Sequence, residues 1–181
     1  GAIRLGAANA LSGRLCGKVL KEAYRRIGID AQINYLPAAR SLALSSQGKL
    51  DGEVSRVFSV GERIKSLIRV PVSYLSLYGK VFHIKPEIRV QTPKDLAKYT
   101  SGILNGVVYS ETLTRSYARV TGNSASHLLH MLTADHLNID LVILTGFTGR
   151  ITLAQELPNA GIKMAEENLM DLPIYHYLHE G

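Results

Sequence analysis

Residues 50–63 read LDGEVSRVFSVGER. The Asp51-Gly52 pair predicts a turn, and the polar and apolar alternation from Glu53 to Val57 is typical of a half-buried strand. Such a strand would deliver Arg63 to the carboxyl end of a sheet, where open α/β sheets hold ligands. A guanidinium there fits a carboxylate or a phosphate through two parallel hydrogen bonds. Arg63 is therefore a candidate anion-binding residue, the alternative being a solvated surface arginine beside Glu62.

The segments before this stretch alternate between strand and helix patterns. Residues 3–8 predict a strand, and apolar positions at four-residue steps from Leu11 to Ile27 predict an amphipathic helix that ends near Gly28. Residues 29–36 predict a second strand, and a second helix is expected from Pro37 to Gly48. This order favours a parallel sheet with right-handed crossovers.

A second unit of the same design follows. Extended runs are predicted at 67–70 and 75–84, and a short helix begins after Thr92. The remaining predicted elements are a strand at 103–108, a helix from Glu111 capped by Ser110, a helix at 126–134, a strand at 140–145, a helix at 148–157 and a strand at 162–165. Residues 172–179 would return toward the first unit.

Composition narrows the function classes. The chain of 181 residues is 46% hydrophobic and 20% charged, and it has no apolar run of the roughly 18 residues that a membrane helix needs. The single cysteine, Cys16, excludes an internal disulfide and is expected on the inner face of the first helix. Residues 1–90 carry 15 Lys and Arg against 6 Asp and Glu, but no basic block or nucleic-acid motif occurs. We therefore expect no nucleic-acid partner.

The histidines give only a weak metal-site pattern. His127 and His130 are three residues apart with His136 nearby, and His176 and His179 form a second pair. No HExxH motif or matching carboxylate spacing accompanies them, so we expect no metal and no other cofactor. A Gly-x-Ser-x-Gly elbow is also absent, which argues against Ser-His-Asp catalysis.

Several short motifs together resemble the type 2 periplasmic solute-binding proteins, in particular those of polar amino-acid ABC transporters. The motifs are LPAARSL at 36–42, GKLDGE at 48–53, GER at 61–63, VPVSY at 70–74, TPKDL at 92–96 and DLVIL at 140–144. Asp51, Arg63 and Tyr74 match the spacing of that family. The resemblance covers essentially the whole chain.

The resemblance implies a two-lobed α/β fold, periplasmic-binding-protein-like type II, in which each lobe is a small mixed sheet flanked by helices. Lobe 1 would comprise residues 1–84 and 172–181, and lobe 2 residues 87–170, with hinges near 82–88 and 168–174. The function implied is capture of a small, anionic or amino-acid-like solute in an interlobe cleft, for ABC-type uptake or for signalling. The protein would be a periplasmic or otherwise extracytoplasmic monomer whose partner is a membrane permease or a sensor.

The candidate ligand-binding residues follow from the same comparison and from local pattern. They are Arg63, Phe58, Tyr74, Arg56, Asn105, Ser110 and Thr145. Asn105 to Ser110 lies between a strand and a helix, where backbone N–H groups and a hydroxyl can hold a polar group. The alternative is that Ser110 serves only as an N-cap.

The chain also departs from the family. Thr145-Gly146 stands where binders of α-amino acids usually have an aspartate, and Arg56 and Phe58 stand where they have Gly and Thr. These differences argue against a standard amino acid as the ligand. The family's C-terminal helix has no counterpart before Gly181, which suggests a truncated or unusually short member.

Two alternative functions remain open. A dehydratase-like lyase can use the same fold, and its cleft carboxylate would be Glu53 or Glu111. The same module also occurs as the ligand-sensing domain of signalling receptors. We expect a binding protein rather than an enzyme.

Overall fold

The computed structural model describes residues 1–134 and 138–181, and this part of the chain divides into two compact units. Unit 1 comprises Gly1–Ser76 and Pro173–Gly181, and unit 2 comprises Leu77–Leu172. Each unit contains both helices and strands, so the predicted α/β class is confirmed.

Unit 1 contains the first part of the chain. Its elements are β1 (Ile3–Ala8), α1 (Leu11–Arg26), β2 (Ala31–Leu36), α2 (Ala38–Ser46), β3 (Gly52–Val57), α3 (Val60–Arg63) and β4 (Leu67–Arg69). Strand β5 (Leu75–His83) begins in unit 1 and continues into unit 2.

Unit 2 follows, and the last strand returns to unit 1. The elements are a 3-10 helix (Pro93–Lys98), β6 (Ser101–Leu104), α4 (Val108–Leu113), β7 (Arg119–Gly122), α5 (Ala125–Leu132), β8 (Leu141–Thr145), α6 (Gly146–Glu156), β9 (Lys163–Met164) and β10 (Met170–His179). No helix in the described part of the chain combines the length and the hydrophobicity that a membrane-spanning helix needs.

The sheet of unit 1 is mixed. β1 pairs in parallel with β2 from Ile3 to Ala8, and in parallel with β3 at Leu5 and Gly6. β10 pairs antiparallel with β3 and, toward its end, antiparallel with β4. The predicted strand–helix–strand–helix–strand order with parallel strands is therefore confirmed.

The sheet of unit 2 is mixed in the same way. β6 pairs in parallel with β7 and with β8, while β5 pairs antiparallel with β8 and with β9. The core of this unit contains Phe82, Leu128, Leu129, Ile139, Val142 and Leu144. Gly149 on α6 is required by this packing, because a Cβ there would lie 2.0 Å from the Phe82 ring.

The glycines predicted to end the first two helices do so. Gly28 and Gly48 follow α1 and α2 with φ values of 76° and 70°, the left-handed conformation that glycine adopts without a steric cost. Cys16 is fully buried on the inner face of α1, as expected. The short helix after Thr92 is stabilised by a capping box between Thr92 and Asp95.

The start of unit 2 differs from the prediction in two places. The strand expected at 103–108 is β6, which ends at Leu104 because the chain turns at Gly106, where φ is 78°. Helix α4 begins at Val108 rather than Glu111, and Val107 is its N-cap residue. The prediction that Ser110 caps this helix is therefore wrong. Two short elements, α3 and β7, were not predicted.

The chain first crosses from unit 1 to unit 2 at Ser76–Leu77, which is earlier than the lobe boundary predicted from the sequence at residue 84. The reason is that Gly79 to Phe82 pair with Thr145 to Val142 of β8, which draws most of β5 into unit 2. The second passage lies at Leu172–Pro173. The hinges expected near 82–88 and 168–174 stay predictions.

Candidate functional site

A buried carboxylate organises the elements around the candidate site in unit 1. Glu53 on β3 is fully buried, and its Oε1 accepts hydrogen bonds from the hydroxyls of Ser41 (2.5 Å) and Ser45 (2.7 Å). The two serines lie four residues apart on α2 and therefore share one helix face. Glu53 thus holds α2 against β3 through two hydroxyl donors.

Arg56 completes the environment of this carboxylate. Its Nε donates to Oε2 of Glu53 at 2.7 Å, and its Nη2 donates to the carbonyl oxygen of Ala38 at 2.7 Å. The arginine side chain is 8% exposed. Because these donors are directed at protein acceptors, we infer that Arg56 supports α2 and the buried Glu53.

The strand β10 joins this network through a histidine. Nδ1 of His176 donates to the backbone carbonyl of Glu53 at 2.7 Å, and the Tyr24 hydroxyl donates to Nε2 of His176 at 2.7 Å. This direction follows because a carbonyl oxygen can only accept, which leaves Nε2 of the neutral ring as the acceptor. Burial lowers the pKa of His176. The neutral ring therefore ties α1, β3 and β10 together.

Tyr74 lies against the same strand, and its hydroxyl is used inside the unit. The hydroxyl donates to the backbone carbonyl of Val54 at 2.8 Å. Burial raises the pKa of Tyr74, and burial likewise raises the pKa of the Cys16 thiol. Tyr74 is therefore placed to support β3 rather than to present its hydroxyl to solvent.

The turn after β3 is held by a second buried side chain from β10. The hydroxyl of Tyr177 lies 2.8 Å from the carbonyl oxygen of Val57 and 2.9 Å from that of Phe58, and it accepts from the N–H of Gly61 at 3.2 Å. Helix α3 follows directly and ends at Arg63. The backbone that carries Arg63 is therefore fixed from within unit 1.

Arg63 itself is exposed. Its guanidinium makes no hydrogen bond, ion pair or ring contact with any residue in the ranges 1–134 and 138–181. This separates it from Arg56, whose charge is paired in the interior. Of the two arginines predicted for the site, Arg63 is the one that can meet a ligand directly.

Phe58 lies in the same turn with 46% of its surface exposed. The guanidinium of Arg69 lies 3.5 Å from the centroid of the Phe58 ring, and its Nη1 donates to the Phe58 carbonyl at 2.9 Å. The Tyr175 ring contacts Phe58 edge to face at 5.7 Å. Sequence reasoning did not identify Arg69, although it lies in the extended run predicted at 67–70, where side chains alternate between the two faces of a strand.

In unit 2, Asn105 and Thr145 lie at the carboxyl ends of neighbouring parallel strands. Asn105 is exposed after β6, and Thr145 ends β8 and accepts from the N–H of Thr148 at 3.3 Å as the N-cap of α6. Because β6 and β8 are paired in parallel, their carboxyl ends lie at the same edge of the sheet of unit 2. This is the edge at which sheets of this class hold ligands.

The loop between β6 and α4 offers fewer free groups than predicted. The hydroxyl of Ser110 is buried and donates to the carbonyl oxygen of Val107 at 3.0 Å. The N–H of Gly106 donates to Oε1 of Glu111 at 2.7 Å. A carboxylate of the protein therefore already occupies part of the polar loop proposed for a ligand.

The histidines are dispersed. His127 and His130 are exposed on α5, and Nδ1 of His130 lies 2.7 Å from the carbonyl oxygen of Ser126. His176 is engaged by Tyr24 and Glu53, while His136 lies outside the described residues. Within the described ranges, no three His, Cys, Asp or Glu side chains are grouped as a metal site would require.

No protein-family model matches the chain. An uncharacterized protein of Shewanella oneidensis (strain MR-1) is 24% identical over 168 residues, which cover 90% of this chain and 63% of that protein. The chain thus spans less than two thirds of the length of this curated relative.

Solved structures match nearly the whole chain. An ancestral arginine-binding protein bound to arginine has a TM-score of 0.79 and 16% identity, covering 100% of this chain and 85% of its own. The GluR0 ligand-binding core in complex with L-glutamate has a TM-score of 0.81 and 14% identity, with coverage of 100% and 86%. A histidine kinase sensor domain similar to periplasmic binding proteins has a TM-score of 0.82 and 12% identity, with coverage of 99% and 83%. At these identities the likeness establishes the fold.

Replacing Arg56 by Met should strongly destabilise unit 1, because it leaves the buried carboxylate of Glu53 without its countercharge. Breaking a buried ion pair in this way costs about 3–5 kcal/mol of the free energy of unfolding. Urea unfolding followed by circular dichroism measures the change. Arg40→Met is the matched control, because Arg40 lies exposed on α2, and it should stay within about 0.5 kcal/mol of the parent. Equal stabilities of the two variants would contradict the structural role of Arg56.

Stability should fall as the pH is lowered through the range near neutrality, because His176 is buried in its neutral form. The unfolded chain takes up a proton near the ordinary histidine pKa of 6.5, whereas the folded protein takes it up only at a lower pH. The loss therefore begins below pH 6.5 and levels off below the lowered pKa of the folded state. Urea unfolding midpoints of the parent and of His176→Gln, measured between about pH 5 and 7.5, test this prediction. The glutamine amide can donate and accept a hydrogen bond as the neutral ring does, but it does not titrate. Identical pH slopes for the two proteins would contradict it.

Proposed function

Because the chain has the two-lobed periplasmic-binding-protein-like fold of the type 2 solute-binding proteins, we propose that it binds a small, anionic or amino-acid-like solute. Arg63 recognises the anionic group of that solute. The observation that carries the proposal is an exposed guanidinium at the carboxyl end of β3 that has no partner among residues 1–134 and 138–181. Two proteins of similar fold have arginine and L-glutamate as ligands.

The rigidity of the backbone around Arg63 supports this assignment. Tyr177 holds both ends of the turn between β3 and α3, so the backbone that bears the guanidinium loses little conformational entropy on binding. Within the part of the chain that the structure describes, the N–H donors of the Arg63 guanidinium form no hydrogen bond with protein acceptors, in contrast with those of Arg56. A carboxylate or phosphate can therefore form a bidentate, charge-assisted pair with it.

Charge and shape around Arg63 are consistent with an anionic solute. The first 90 residues carry 15 Lys and Arg against 6 Asp and Glu, which raises the local concentration of small anions. Phe58 presents nearly half of its surface to solvent, and Arg69 lies on its ring. We propose Phe58 as an apolar contact for the carbon skeleton of the solute, while Arg56 and Tyr74 support the strand.

We propose two further ligand-binding residues in unit 2. Asn105 and Thr145 follow the carboxyl ends of adjacent parallel strands, where an amide and a hydroxyl can act as donor or acceptor. The buried hydroxyl of Ser110 is already bonded to Val107, so we propose that Ser110 stabilises the loop. The absence of an aspartate at the Thr145-Gly146 position favours a solute without an α-ammonium group.

We propose a binding role rather than catalysis. The two carboxylates considered for a dehydratase-like reaction, Glu53 and Glu111, accept hydrogen bonds from protein donors. The similar solved structures are binding and sensor proteins. The proposed setting is extracytoplasmic, where the bound solute is passed to a permease.

A sensing role is the second candidate. It is favoured by the likeness to a histidine kinase sensor domain, which has a TM-score of 0.82. In that case the solute would be detected rather than transported, while the residues that bind it would be the same.

Arg63→Ala should abolish ligand-dependent stabilisation while leaving the ligand-free protein unchanged, because the side chain has no internal partner. Thermal unfolding is measured with L-arginine, L-glutamate, succinate and inorganic phosphate. A solute at a hundred times its Kd adds about 2.7 kcal/mol to the free energy of unfolding. Lys65→Ala, a neighbouring exposed cation, is the matched control and should keep the full shift. Full affinity in Arg63→Ala would refute the assignment of Arg63.

A further inference from the structure

A second surface of unit 1 lies on α1 and carries a stripe of positive charge. Arg14, Lys18, Lys21 and Arg25 follow one another at steps of four, three and four residues, and all four side chains are exposed. This spacing places them on one face of the helix, over about 16 Å at 1.5 Å per residue. The buried residues Gly13, Cys16, Gly17 and Leu20 occupy the inner side. The four charged side chains of the stripe therefore do not contribute to the core of unit 1.

The stripe retains a positive excess after its internal pairs are considered. Glu22 is the one acidic residue of α1, and it binds the guanidinium of Arg25 at 2.7 Å and that of Arg26 at 3.0 Å. The Arg14 guanidinium lies over the Tyr35 ring at 4.5 Å. Lys18 and Lys21 make no hydrogen bond or ion pair with the residues that the structure describes. Exposed pairs such as those of Glu22 are weak, so an anionic partner can rearrange them.

One apolar side chain borders the charged stripe at its C-terminal end. Ile27 is 68% exposed and Ile29 is 41% exposed, and they flank Gly28 in the tight turn after α1. A cavity of about 570 Å³ lies beside this turn and is lined by Ile29, by the cations Lys18, Lys21 and Arg25, and by the carboxylates Glu22 and Asp30. Ile29 adds an apolar side chain to the cationic surface of Lys18 and Lys21. Ile27 instead continues the helix face of Cys16 and Leu20.

We propose that this surface, residues 14–29, docks on an anionic phospholipid bilayer. Its charges are spread along a line and complement a layer of phosphate groups, and each basic residue near such a layer favours binding. The exposed Ile29 fits the boundary between headgroups and acyl chains, which a wholly polar partner would leave unused. The surface is separate from Arg63 in the chain, and the inference does not depend on solute binding.

Cosedimentation with vesicles tests the proposal. The protein is expected to bind vesicles of phosphatidylcholine with phosphatidylglycerol, not vesicles of phosphatidylcholine alone, and binding should weaken as added salt shortens the screening length. The double variant Lys18→Ala/Lys21→Ala should lower partitioning into the anionic vesicles about 25-fold, because each lysine contributes a factor of about five. Lys49→Ala/Lys94→Ala removes two other exposed lysines and should bind like the parent. Ile29→Ser should also lower partitioning without changing the charge.

Three results would overturn the proposal. The first is equal partitioning of the parent into both kinds of vesicle. The second is unchanged binding by Lys18→Ala/Lys21→Ala. The third is binding to polyglutamate without binding to the anionic vesicles, which would assign the surface to an acidic protein instead. Circular dichroism of each variant confirms that a loss of binding is not a loss of folding.

Discussion

The buried carboxylate of Glu53 is the constraint on which the arrangement of unit 1 depends. A charged group with no exposed surface is costly unless every oxygen is satisfied, and here two serines and one arginine satisfy it. The serines come from α2, and the backbone carbonyl of the same residue accepts from His176 on β10. One position on β3 therefore specifies how a helix and the last strand pack against the sheet.

The same strands determine where Arg63 lies. β10 supplies His176 to the backbone of β3 and, one residue later, Tyr177 to the turn that leads into α3. The network consists of hydrogen bonds, which are directional. It therefore restricts the orientation of the turn more than apolar packing would. The exposed arginine thus stands on a rigid support, while the buried Arg56 is part of that support. Arg56 thus has a structural role in unit 1, whereas Arg63 is the arginine that we propose for ligand binding.

Sequence patterns predicted the first five elements because apolar periodicity is strong there and glycines end both helices. Helix α3 and strand β7 have four residues each, too few to produce a periodic signal. The pairing of Glu53 with Arg56 was missed because strand alternation places residues three apart on opposite faces. Serines spaced four apart on α2 were the available signal. Ser110 was misassigned as a cap because Val107, with no side-chain acceptor, occupies that position.

The most direct test of the central claim is a titration of the ¹⁵N-labelled protein with L-glutamate, L-arginine, succinate and phosphate, observed through backbone amide shifts. The account predicts that at least one of these solutes causes saturable shifts concentrated at residues 58–63, on the turn that carries Arg63. Shifts confined to other segments, or no saturable shift with any of the four, would contradict solute binding at this site.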